Sequence, residues 1–165
     1  MSSPPDKPAA HGVGRKSIVT TDAEPYFVDT NILVVASDDT RTGHAESHKL
    51  FECAINGTHR LFACGQVFRE YLVVATRPIE NNGLGLSSSK AIENIRSFRK
   101  CLQLLDENDA TTRRLERLIT QHELKGKRIH DANIASIMIE NGLTQIFTLN
   151  PNDFKVFANM QTRQP

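Results

Sequence analysis

Short apolar segments that alternate with stretches of helical periodicity predict an α/β fold: a three-layer α/β/α domain with a central, mostly parallel sheet. Three observations carry this expectation. Residues 26–28, 60–63, 102–105 and 146–149 are brief apolar runs, as strands covered on both faces require. The segments between them are long enough for the crossover connections that parallel strands need. At 165 residues the chain is the size of one domain and can bury a single core without disulfides or a structural metal.

Each element has its own reason. Residues 26–28 end in Asp29, and residues 32–37 then read as a short helix that Asn31 would cap. Residues 44–55 place Leu50, Phe51 and Ala54 at helical spacing and stop at Asn56-Gly57. After the strand candidate at 60–63, residues 66–76 repeat Val67, Tyr71 and Val74 at helical intervals. That pattern ends before Arg77-Pro78, since a residue preceding proline avoids helical geometry.

Residues 81–89, rich in glycine, asparagine and serine, read as a loop forming a mobile rim, followed by a helix over 90–99. A third strand is expected at 102–105, then a surface helix over 109–124 with Leu115, Leu118 and Ile119 turned inward. Asp131 is read as opening a helix that runs to Glu140 and stops at Asn141-Gly142. The last clear strand is 146–149, followed by the polar segment 150–154.

Composition narrows the classes of function. The 20 basic and 19 acidic residues nearly cancel, so net charge neither points to nor excludes a polyanionic partner. No apolar run approaches the roughly 20 residues of a membrane span, and no membrane role is expected. Cys53, Cys64 and Cys101 are odd in number and form no Cys-x-x-Cys pair; they read as core residues in a reducing, cytoplasmic compartment. Residues 1–25, with four prolines, are expected to form a disordered extension, 26–158 the domain, and 159–165 a short tail. Gly12 to Ser17 lacks the glycine–lysine spacing of a phosphate loop.

Four acids stand beside apolar core at element ends or on helix faces: Asp29, Glu70, Asp131 and Asp153. Carboxylates gathered in one cleft repel one another, and a hard divalent cation with a preference for oxygen relieves that repulsion. Magnesium or manganese is the expected ion, and phosphodiester hydrolysis the chemistry it serves. Each acid alone also fits a simpler role. Asp29 and Asp153 suit turns, Asp131 suits a helix cap, and Glu70 suits a surface pair with Arg69 or Arg77. His44 and His48 stand one helical turn apart but lack an evident third ligand, and read as helix surface.

Four segments, taken in order, resemble the signatures of PIN-domain nucleases: Phe27-Val28-Asp29-Thr30-Asn31; Gln66 to Tyr71 with Thr76-Arg77-Pro78; His130 to Ala135; and Thr148 to Phe154. The likeness is greatest to the small VapC ribonuclease toxins of toxin–antitoxin pairs. The resemblance implies Asp29, Glu70, Asp131 and Asp153 as catalytic, metal-binding acids for Mg²⁺ or Mn²⁺. Thr30, Asn31, Thr148 and Asn150 are expected to support them, orienting the carboxylates or a bound water. Arg69, Arg128 and His130, neighbours of the acids in sequence, are expected to meet RNA phosphates; Lys127 reads more simply as solvated charge.

The family likeness further implies an RNA substrate, a cognate antitoxin protein and a homodimer. The chain departs from the pattern in its N-terminal extension and in ending soon after Asp153, where many relatives add a final strand. The competing expectation is a binding module, or an RNA-processing nuclease without an antitoxin. An aspartyl-phosphate phosphatase ranks last, because Asn31 stands where that chemistry needs a second Asp.

Overall fold

A computed structural model describes residues 23–165. The extension expected at 1–25 lies outside the described residues except at its end, where Glu24 and Pro25 already belong to the first strand. Five strands form one parallel sheet: β1 (Glu24–Val28), β2 (His59–Cys64), β3 (Leu102–Leu105), β4 (Gln145–Phe147) and β5 (Gln161–Arg163). Their order is β3-β2-β1-β4-β5. Phe27, Val28 and Ile146 are fully buried, and each such side chain stabilises the fold by about 1.5–3 kcal/mol relative to exposure.

The helices are α1 (Thr30–Ala36), α2 (His44–Ile55), α3 (Gly65–Thr76), α4 (Ser88–Phe98), α5 (Asp109–His122), α6 (Arg128–Glu140) and α7 (Pro151–Phe154). Helix α1 packs on α2 and α3, and α3 on α4; α5 packs on α6, and α6 on α7. The expected α/β/α layering with a parallel sheet is therefore present.

This strand order positions the site. From β1 the chain builds outward in one direction through β2 and β3, and later in the other through β4 and β5. The connections leaving β1 and β4 consequently diverge, opening a crevice at the carboxyl ends of the central strands. Asp29 follows β1 and Thr148 follows β4; Asp29 N–H donates to the Phe147 carbonyl at 3.0 Å.

Several boundaries differ from expectation for local reasons. Helix α1 starts two residues early, and its cap is Asp29, whose carboxylate accepts from Thr30 N–H at 2.7 Å; Asn31 lies inside the first turn. Helix α6 begins at Arg128 because the turn at Gly126 (φ +59°) feeds directly into it. The Ile129 and His130 N–H groups bond the Gly126 and Lys127 carbonyls at 3.1 and 3.0 Å. Asp131 therefore lies within the first turn of the helix, three residues past its start, and is no cap.

Strand β4 stops at Phe147, freeing the Thr148 side chain to turn toward Asp29. Residues 159–165 are more than a tail. Gln161 to Arg163 form β5, whose three residues are polar and too few to carry an alternation signal. The 81–89 segment is not a simple loop. A 3₁₀ turn at Ile79–Asn81 precedes it, and its backbone is tied to α3 by Leu84 N–H to the Val74 carbonyl at 3.1 Å and Leu86 N–H to Ala75 at 2.9 Å.

Candidate active site

The crevice holds Asp29 from three sides. Besides the Thr30 N–H on Oδ1, its Oδ2 accepts from Asn31 Nδ2 and from Thr148 Oγ1, each at 2.7 Å. The amide of Asn31 is oriented in turn, because its Oδ1 accepts from Leu149 N–H at 3.0 Å. Thr148 Oγ1 also accepts from Asn150 N–H at 3.0 Å. Asn150 thus contributes through its backbone, whereas Asn31 and Thr148 contribute side chains. Burial pushes the Asp29 carboxyl above its ordinary range; the donors from Thr148, Thr30 and Asn31 oppose that shift, and neighbouring Glu70 adds to it.

Glu70 approaches from α3 and is held at both oxygens. Oε2 accepts from Thr30 Oγ1 at 3.0 Å, and Oε1 from Gln66 Nε2 at 2.7 Å. Gln66 is one helical turn earlier, only 5% exposed, and its Nε2 also donates to the His130 carbonyl at 3.1 Å. Its Oε1 accepts from Asn133 Nδ2 at 2.8 Å. A flipped Gln66 amide would set its carbonyl against a carboxylate and another carbonyl, so its orientation is forced.

Asp131, from α6, is half-buried, and Asp153, from α7, is exposed. Among the described residues neither carboxylate accepts a hydrogen bond. Burial first, then the charges of Asp153, Asp29 and Glu70, raise the Asp131 carboxyl to about 6, with His130 opposing. All four acids line one cleft of about 360 Å³. Their mutual repulsion at Asp131 is the electrostatic sign that they share it.

The cationic residues divide differently from the sequence expectation. Arg69 is exposed, pairs with Glu107 at 3.3 Å and lines a second, adjoining groove of about 650 Å³. His130 lines that groove as well, its Nδ1 3.8 Å from Glu70 Oε1. Arg128 is exposed and lines neither cavity. The arginines that do line the acidic cleft are Arg41 and Arg77. Arg41 comes from the α1–α2 connection, remote in sequence from every acid, and no local pattern marks it. Gln66 had a readable signal in its i, i+4 relation to Glu70, and Asn133 stands two residues beyond Asp131. Cys64 is buried and its thiol is pushed up to about 11, chiefly by desolvation, which leaves it inert as a nucleophile.

The donor set suits a hard divalent cation: carboxylate oxygens, with the surrounding hydroxyls and amides already engaged in orienting them. Among the described residues no three Asp, Glu, His or Cys side chains already stand close enough together to hold a metal ion. Among the described residues no helix is long and apolar enough to cross a membrane.

Comparison with known proteins places the geometry in a family. No curated protein matches the chain. Among solved structures, VapBC2 from Rickettsia felis bound to a promoter DNA fragment is similar at 20% identity and a TM-score of 0.64, with 86% of this chain and 98% of that chain covered. DNA-bound VapBC from Salmonella typhimurium aligns at 14% identity and a TM-score of 0.61, covering 85% of this chain and 97% of that one. VapBC-1 from nontypeable Haemophilus influenzae aligns at 17% and 0.59, again covering 85% and 97%. At these identities the likeness is one of fold. The PIN domain profile matches residues 26–159, which include all four acids and the residues that support them, and the chain belongs to the PIN-domain family.

Proposed function

We propose that this chain is a metal-dependent endoribonuclease that hydrolyses RNA phosphodiester bonds. The observation that carries the reading is the convergence of Asp29, Glu70, Asp131 and Asp153, from four separate elements, on one open cleft where Asp131 is raised to about 6 by burial and by the other three acids. Carboxylates held in such conflict are a site poised for a cation. Asp29, Glu70, Asp131 and Asp153 would hold Mg²⁺ or Mn²⁺. Bound there, the ion supplies Lewis-acid chemistry that makes water a competent nucleophile and offsets charge on the phosphodiester.

The chain's own residues have distinct tasks in this reading. Asn31, Thr148 and the Thr30 N–H fix Asp29; Thr30 Oγ1 and Gln66 fix Glu70. Asp131 and Asp153, which accept no hydrogen bond from any described residue, would be the acids left free to hold the ion. No protein nucleophile is required, which agrees with the inert Cys64. The family and the fold shared with VapBC complexes support a toxin of the VapBC type: a cytoplasmic protein that forms a homodimer and is paired with an antitoxin. The domain proper would run from 26 to 158, and β5 at Gln161–Arg163 extends its sheet beyond that bound.

The test is RNA cleavage by the purified chain with Mg²⁺ or Mn²⁺, and its loss on chelation. Asp29→Asn keeps the capping acceptor while removing the charge, so its circular dichroism should match the parent and its cleavage rate should fall by more than about a hundredfold. Cleavage in EDTA, or an unimpaired Asp29→Asn, would overturn the reading.

A further inference from the structure

The geometry points to Arg41 and Arg77 as the phosphate-binding rim of the acidic cleft, with Arg77 directing the RNA strand from the cleft into the adjoining groove. The inference rests on the ribonuclease reading above and assigns the part of the site that grips substrate.

Arg77 lines both cavities, as do Thr30, Glu70 and Val74, so the 360 Å³ cleft and the 650 Å³ groove are continuous past this residue. Its guanidinium makes no hydrogen bond or ion pair with any described residue, although four carboxylates line the same cleft. An arginine held at an acidic site without pairing there is available to an incoming anion, and its planar fork matches a phosphate.

The backbone beneath it is fixed. Pro78 enforces its extended conformation at the end of α3 (ψ 143°), and its carbonyl accepts from Gly85 N–H at 2.9 Å. Gly83 packs so tightly that a Cβ there would lie 2.0 Å from the Arg77 carbonyl oxygen. The chain thus uses a glycine and a braced turn to hold this one residue in place.

Arg41 reaches the cleft from the α1–α2 connection. Its Nε pairs with Asp38 at 3.0 Å, while one terminal nitrogen donates to both the carbonyl and the side-chain oxygen of Asn82 at 3.3 Å. Asn82 is itself in the left-handed region (φ +59°) within the braced turn. Arg41 therefore ties the α1–α2 connection to the α3–α4 connection across the cleft mouth, and its other terminal nitrogen has no partner among the described residues. Two guanidinium groups from separate connections, lining a cleft of carboxylates, suit a strand whose cut phosphate lies at the acids and whose flanking phosphates lie at the arginines.

The experiment uses the full chain and a mixed-sequence single-stranded RNA oligonucleotide. Binding is measured by fluorescence anisotropy in EDTA across a salt series, and cleavage kinetics in Mg²⁺. Each phosphate contact contributes about 0.7 to the slope of log affinity against log salt for single strands. Arg77→Gln and Arg41→Gln should each make the slope shallower by about that amount and raise KM about tenfold, with kcat within about twofold of the parent. Arg77→Lys should restore the slope, a rescue that a purely structural role would not give.

Slopes and KM unchanged in both glutamine variants would overturn the rim. A variant that loses thermal stability yet keeps the parent slope overturns it for that residue and leaves a structural tie. Absence of RNA binding by the unmodified chain would overturn the ribonuclease reading itself.

Discussion

The acidic cleft has two walls that are built differently. On one, Asp29 and Glu70 are clamped: three donors hold the first and two the second, and the groups that hold them are held in turn. On the other, Asp131 and Asp153 accept no hydrogen bond from any described residue, and Asp131 carries the electrostatic conflict as a carboxyl raised to about 6. On the clamped wall Asp29 stands at the switch point of the sheet, where the connections leaving β1 and β4 part, and Glu70 comes from α3; the free wall is carried by α6 and α7. A rigid half defines where a cation would bind, and an unsatisfied half supplies the drive to bind it.

The sharpest way to break the difference is to loosen the clamped wall. Gln66→Met removes the donor to Glu70 Oε1 while keeping the volume. Supporting hydrogen bonds of this kind typically contribute 10- to 100-fold to metal affinity or activity, so Mn²⁺ affinity by electron paramagnetic resonance and RNA cleavage should both fall by about that factor. The variant also strands the His130 carbonyl and the Asn133 amide, costing about 1–3 kcal/mol of stability. Unaltered Mn²⁺ affinity would mean that Thr30 alone suffices to place Glu70.

The free wall should respond in the opposite sense. Asp131 titrates at about 6 in the folded chain and near 4 when unfolded, so its native carboxyl holds a proton more readily. Stability tied to this group is fully present below about pH 4 and lost as pH rises through about 6. The full shift corresponds to roughly 3 kcal/mol, which partial exposure reduces to about 1–2. In EDTA, Asp131→Asn should match the parent near pH 4 and exceed its unfolding free energy by about 1–2 kcal/mol at pH 7.5. Added Mn²⁺ should stabilise the parent and narrow that gap. A variant less stable than the parent at pH 7.5 would show that the wall is not strained.

The two walls also differ in how far the sequence reveals them. Helix α2 and strand β3 match their expected bounds, because Leu50, Phe51 and the run at 102–105 signal burial within a few residues. The family signatures brought the acids together, since no local pattern could link positions as distant as Asp29 and Asp153. The roles of Asn31 and Asp131 as caps did not hold. Asn31 is drawn from a local task by Asp29, Thr148 and Leu149, and Asp131 by a turn at Gly126 that starts its helix early. The Arg41 tie to Asn82 and the Gln66 bridge to Asn133 join segments far apart in the chain, so only the assembled fold shows them.

The smallest effect is expected where sequence adjacency and spatial adjacency part. Arg128 is three residues from Asp131, and that nearness made it a candidate for substrate contact. Helix α6 begins at Arg128 itself, so the backbone carries Asp131 into the cleft while Arg128 remains exposed and lines neither the cleft nor the groove. An exposed cation away from the strand's path contributes only through the screened field, which at physiological salt fades over about 8 Å. Arg128→Ala should therefore change KM for RNA by less than about twofold and leave the salt slope unaltered, in contrast to Arg77→Gln. A slope shallower by about 0.7 in Arg128→Ala would place a phosphate outside the cleft and extend the RNA path along α6.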